Sequence, residues 1–223
     1  VRAAAAYDEG FYDDLVVPFM NVEEDNNIRR DTSLEKLSSL KPVFDRSGEG
    51  TMTAGNSTPL TDGAAALLLA SEDWAKKKNL PVLAYLTFAK VAAVNFIDDE
   101  GLLMAPAYAV SEMLKEANLS LQDFDFYEIH EAFAAQTIAT LKAWQSAKFC
   151  RERLGRDQAM GPIELAKLNV KGGSLAMGHP FAATGARILA TLAKLLGEKG
   201  SGRGLVSVCT AGGMGVTAIL EAA

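Results

Sequence analysis

Strands alternating with helices predict an α/β fold in which helices are layered against a mixed sheet. Three observations lead to this expectation. Apolar residues at Val110, Met113, Leu114 and Ala117 hold helical spacing over residues 105–117. Residues 205–208 and 216–220 read as two strands joined by the turn 209–215. Between these elements lie a short apolar and aromatic strand at 124–129 and an Ala- and Leu-rich helix at 182–196.

In chain order, residues 1–50 open with a helical stretch over 3–7 and carry the charged runs 23–27 and 29–31. Their only further apolar pattern is Leu34, Leu37 and Leu40, so they predict a surface subdomain with little core of its own. From Gly50 small and apolar residues take over. Residues 55–58 read as a loop, 64–69 as a buried strand, and Ser71 as the cap of a helix over 72–78. A β-rich run lies within 80–94, and the strand at 124–129 ends at His130. A helix by period follows over 131–144, then a glycine-rich loop over 169–180, the helix at 182–196 and the terminal hairpin. No repeat of solenoid period interrupts this order.

A chain of 223 residues, 49% hydrophobic and 22% charged, has ample material for a core, in one large domain or two smaller ones. Its formal charge of -6, with no basic stretch, argues against phosphate-backbone binding, so nucleic acid is not an expected partner. Two distant cysteines form neither a disulfide framework nor a Cys-x-x-Cys pair, which predicts a reducing compartment and no metal site. No apolar run approaches the roughly 20 residues that span a bilayer, and the start lacks a signal-peptide pattern. The chain enters a helical stretch at once from Val1-Arg2-Ala3, and the expectation is of a start truncated, processed or cut from a longer protein.

The chemistry-bearing side chains are few. His130 and His179 are the only two histidines and Cys209 is one of two cysteines, each beside small residues that let backbone approach closely. His179 lies between Gly178 and Pro180 just before a helix, whose positive end disfavours an imidazolium and leaves a neutral base. Alone, that loop reads equally as an anion site or a plain turn. Cys209 follows a strand and precedes Gly212-Gly213, so its thiol is expected at the strand's end beside backbone amides. Alone, it reads as a buried, inert cysteine. His130 sits at a strand-to-helix junction, where open α/β sheets gather ligands, and by itself reads as a capping or satisfied polar residue. Glu131 is expected to be drawn to the start of the helix that follows it. Cys150, on a charged surface stretch with no nearby histidine, is expected to be structural.

Taken together, Gly172-Gly173-Ser174-Leu175-Ala176-Met177-Gly178-His179-Pro180, Cys209 before Ala211-Gly212-Gly213-Met214-Gly215, and His130-Glu131-Ala132-Phe133 resemble the signature blocks of the thiolases in order and spacing. Residues 53–58 and 61–66 resemble the segment that closes the first half of the thiolase core, and 29–40 the end of its loop domain. The resemblance implies a thiolase-like layered βα fold: residues 1–50 the end of the loop subdomain, 51–79 the last strand and helix of the first half, and 80–223 the complete C-terminal half. The family's nucleophilic cysteine has no counterpart here, and Cys150 does not match its block.

By the same resemblance His179 takes the proton of the nucleophilic thiol and helps line an oxyanion hole. Cys209 is the acid/base thiol that protonates the departing acetyl-CoA carbanion and deprotonates incoming coenzyme A. His130 stands where most members carry asparagine, in a His-Glu-Ala-Phe form associated with fatty-acid β-oxidation complexes. Thr58 matches a hydroxyl that contacts the pantetheine arm, and Ala211 and Gly212 join it in binding substrate. Many thiolases have Cys-x-Gly where Ala211 stands, but Ala211 keeps the amide that an oxyanion hole needs. The implied activity is that of an acyltransferase cleaving 3-ketoacyl-CoA with coenzyme A to acetyl-CoA and a shortened acyl-CoA, or the reverse condensation. Coenzyme A is a substrate and no cofactor is expected. The implied partners are an N-terminal thiolase half, further copies in a homodimer or higher oligomer, and a hydratase/dehydrogenase subunit. The implied location is bacterial cytoplasm or mitochondrial matrix. Two other readings stand beside it: a ketosynthase-type condensing enzyme, which also uses two histidines, and a non-catalytic acyl-CoA or lipid-binding protein of the same fold.

Overall fold

The computed structural model describes residues 1–97 and 99–223. Among these the chain forms α1 (Arg2–Asp8), α2 (Leu34–Ser38), α3 (Glu72–Lys77), β1 (Ala84–Ala93), α4 (Ala105–Ala117) and β2 (Phe126–Ile129). It continues through α5 (Ala134–Gln145), α6 (Ala147–Glu152), α7 (Ser174–Met177), α8 (Thr184–Lys199), β3 (Arg203–Thr210) and β4 (Met214–Ala222). The strands make one mixed sheet in the order β1-β4-β3-β2, with β2 parallel to β3 and the other two pairs antiparallel. The expected α/β class is the one that forms.

Alternation along the strands divides the core into two layers. Leu205 and Ile219 pack with Val110, Met113 and Leu114 of α4, and with Tyr127, Ile129 and Trp144. Their neighbours Val206, Ala218 and Leu220 turn to the other face and meet Ile188, Leu192 and Leu196 of α8. Each leucine buried in this way contributes about 1.5–3 kcal/mol of transfer free energy. Helix α4 stops where Asn118 adopts the left-handed conformation (φ 53°), and α3 starts at Ser71, whose side chain accepts from the Trp74 amide as expected of a cap.

Within residues 1–50 only Ala3, Ala6, Phe11 and Tyr12 are buried. Ala3 and Ala6 of α1, with Phe11 and Tyr12 after it, share one buried cluster with Met177 of α7 and Leu195 of α8. Helical spacing of alanines supplies too little apolar area to reveal that face in the sequence. Residues 64–69 depart from expectation: they form no strand, and Leu68 and Leu69 are 72% and 66% exposed. A strand needs a ladder on at least one side, and no described segment of this chain pairs with these residues.

Candidate active site

Two parallel neighbours deliver the first two side chains to one end of the sheet. In β2 and β3, Ile129 is aligned with Ser207, and the His130 amide donates to the Ser207 carbonyl at 2.8 Å. His130 therefore leaves the carboxyl end of β2 next to Cys209 near the carboxyl end of β3. Asn169 pins the β2 edge: its side chain accepts from the Ile129 amide and donates to the Ile129 carbonyl, both at 2.9 Å, standing in for a further strand.

His179 is brought in from the glycine-rich loop. Its ring meets that of His130 edge to face, with centroids 4.1 Å apart. The loop comes this close to its neighbours because Gly178 takes a φ of +98° and carries no Cβ, which would stand 2.5 Å from the Thr61 hydroxyl. The Thr61 hydroxyl also lies 3.4 Å from the His179 amide. Helix α8 begins at Thr184, five residues after His179. Burial lowers the affinity of His179 for a proton, and the charge of Arg187 lowers it further.

Cys209 differs from expectation in its surroundings. It lies inside β3, paired with Gly215, and is buried rather than emerging beside the glycine amides. Burial pushes its thiol up to about 11, partly offset by hydrogen bonds from its own amide and that of Ala132. Thr58 lies against the same Ala132: its amide and hydroxyl reach the Ala132 carbonyl at 3.0 and 3.2 Å. Ala211 and Gly212 lie in the exposed hairpin turn that follows Cys209. Cys150 is fully buried rather than on the surface, its thiol donating to the carbonyls of Ala143 and Trp144, which agrees with a structural part. Glu131 reaches back to the Leu175 amide at the start of α7 rather than to the start of α5.

Three groups escaped the sequence reading. Ser174 bonds the His130 ring at Nδ1 (2.7 Å), Arg187 donates to the Ser174 hydroxyl at 2.9 Å, and Glu128 is buried two residues before His130 on β2. Burial pushes the Glu128 carboxyl up to about 8 against the opposing pull of Arg187. His130 itself is driven down to about 3 by burial, then by His179 and Arg187. The available signals were weak: a serine after a glycine pair, the only arginine of α8, and one carboxylate in an apolar strand. At neutral pH the cluster therefore holds two uncharged imidazoles and a protonated thiol, a set equipped to accept one proton and supply another.

A sequence model described as "Thiolase, C-terminal domain" matches residues 80–222, and one described as "Thiolase, N-terminal domain" matches residues 1–73. A 3-ketoacyl-CoA thiolase of Yersinia pestis (strain Pestoides F) is 47% identical over 225 residues, which is 98% of this chain and 51% of the relative. The chain thus spans about half the length of the curated relatives it matches. Among solved structures, the acetyl-CoA acetyltransferase of Bacillus anthracis superposes with a TM-score of 0.82 at 35% identity, over 100% of this chain and 53% of that one. The dimeric peroxisomal thiolase of Saccharomyces cerevisiae gives 0.83 at 35% identity, over 100% and 52%. A thiolase from Ascaris suum in complex with coenzyme A gives 0.80 at 32% identity, over 100% and 53%.

Proposed function

This chain belongs to the thiolase family, and from that premise we propose that it supplies the acid–base side of acyl transfer to and from coenzyme A. The observation that carries this reading is the pairing of two neutral imidazoles, 4.1 Å apart, at the carboxyl end of β2 and β3, where β3 holds a buried, protonated thiol. In the cleavage direction a nucleophilic thiol gives its proton to His179 and its sulfur adds to the 3-keto carbon of the substrate. The bond between the α- and β-carbons then breaks, and the electron pair left on the α-carbon takes the proton of Cys209, releasing acetyl-CoA. The Cys209 thiolate next takes the proton of incoming coenzyme A, whose sulfur adds to the acyl carbon; the bond from that carbon to the nucleophile's sulfur breaks, that sulfur recovers its proton from His179, and the shortened acyl-CoA leaves.

Cys150 is not offered as that nucleophile, since it is fully buried among helix carbonyls. The 223-residue chain alone is therefore expected to show no turnover of acetoacetyl-CoA or of longer 3-ketoacyl-CoA. Turnover that persists in a Cys150→Ser variant would overturn the need for another thiol. In a protein that joins this chain to such a thiol, Cys209→Ala should abolish hydrogen exchange at the acetyl α-carbon while alkylation of the nucleophile stays near normal. His179→Ala should instead slow acyl-enzyme formation by about 10²–10⁴-fold. Loss of both properties together in each variant would refute the division of labour.

The naming of the relatives and the His130-Glu131-Ala132-Phe133 form support 3-ketoacyl-CoA substrates and fatty-acid β-oxidation. The paired histidines also suit a ketosynthase-type condensation, but the acid/base thiol at Cys209 favours thiolase chemistry. Thr58, Ala211 and Gly212 complete the proposed substrate contacts, with coenzyme A as substrate and a second copy of the protein as partner.

A further inference from the structure

His130 is fully buried, and its two ring nitrogens have unequal surroundings. Nδ1 lies 2.7 Å from the Ser174 hydroxyl, whereas Nε2 is a buried polar atom with no partner among the described residues. Ser174 is itself buried, and its oxygen receives an N–H of Arg187 at 2.9 Å. A guanidinium can only donate, so it uses a lone pair of the hydroxyl and leaves the hydroxyl proton to be placed elsewhere. Among the described residues the Ser174 hydroxyl has no acceptor other than His130 Nδ1. Were Nδ1 the donor, the serine proton would be buried without a partner, which is the costlier arrangement.

We propose that Ser174, held by Arg187, is a positioning residue that locks His130 in the neutral tautomer with its proton on Nε2, making Nε2–H a donor for a ligand's oxygen atom. The same Arg187 charge, together with burial and His179, disfavours the doubly protonated ring, so the alternative in which both nitrogens donate is suppressed. A buried N–H without a partner is costly, and a carbonyl or thioester oxygen brought to it would become that partner at no cost in reorienting the imidazole. The use made of Nε2–H rests on the function proposed above. The tautomer does not, and the experiment reads the tautomer.

The chain has only two histidines, so 15N-histidine labelling and NMR give two imidazoles, and His179→Asn leaves the signals of His130 alone. In the full chain at pH 7 the expected spectrum has an unprotonated, hydrogen-bonded Nδ1 and a protonated Nε2 on His130. Ser174→Ala should shift both nitrogens toward values averaged between tautomers, and Ser174→Thr, which restores a hydroxyl, should move them back. A proton on Nδ1 in the unsubstituted chain overturns the proposal without recourse to any variant. Unchanged shifts in a folded Ser174→Ala chain overturn the part given to Ser174. Neither outcome touches the thiolase reading, which is tested by turnover and hydrogen exchange.

Discussion

At the scale of single residues, the site is governed by the cost of burying charge. The His130 ring falls from its ordinary 6.5 to about 3, so the folded chain keeps it neutral while the unfolded chain takes up a proton. Its contribution to stability is present above pH 6.5 and is lost as the pH falls toward about 3. Glu128 has the opposite sign. Its carboxyl rises from 4.5 to about 8 through burial and, to a smaller degree, the nearby charge of Glu131, against the opposing pull of Arg187. A raised acid stabilises fully below pH 4.5, and that contribution is lost as the pH climbs through about 8. Glu128→Gln keeps the shape and removes the ionisation. The variant should match the parent chain at pH 4 and exceed its unfolding free energy by about 4 kcal/mol at pH 8. Urea titrations at the two values check this, and an equal difference at both would show that Glu128 does not ionise on unfolding.

At the scale of elements, the terminal hairpin is held against α4 by the absence of a side chain. A Cβ on Gly215 would stand 2.6 Å from the Pro106 nitrogen and 2.8 Å from the Ala105 carbonyl carbon, both backbone atoms that cannot swing aside. Gly215 is also the partner of Cys209 across the β3–β4 ladder, so the contact that seats the hairpin also seats the thiol. Gly215→Ala should cost about 1–3 kcal/mol through overpacking. The displaced β4 should also expose Cys209, which iodoacetamide labelling with peptide mass spectrometry would detect. A variant with unaltered stability and labelling would mean that α4 has room to move.

At the scale of the whole molecule, the sheet has β1 and β2 as its two edges, and β1 presents Leu86 and Val91 to the outside. Leu60 at 94% exposure, with Leu68 and Leu69, adds further large apolar side chains left open in this chain. The chain should therefore self-associate as its concentration rises, as measured by light scattering. Replacing Leu68 and Leu69 by Lys should weaken that association without lowering the unfolding free energy, since neither side chain packs in a core cluster. A monodisperse monomer at every concentration would refute the expectation.

Much of this architecture was legible in the linear chain because its signals are local. The period of 105–117 and the turn chemistry of 209–215 need only neighbours in sequence to act, and helix α4 and the β3–β4 hairpin formed where those signals lie. The candidate residues His130, His179 and Cys209 were visible for another reason: scarce reactive side chains set among glycines leave a pattern in composition. What the tertiary structure alone decided was their protonation. Nothing in residues 172–180 or 184–199 taken singly says that Ser174 and Arg187 converge on His130, because the contacts join segments 44 and 13 residues apart. Nor could local pattern foretell that residues 64–69 stay unpaired, or that Ala3 and Ala6 are buried with Met177 and Leu195. Propensity is a property of the segment, whereas a ladder partner, a buried face and a displaced proton equilibrium belong to whatever the rest of the chain brings into contact.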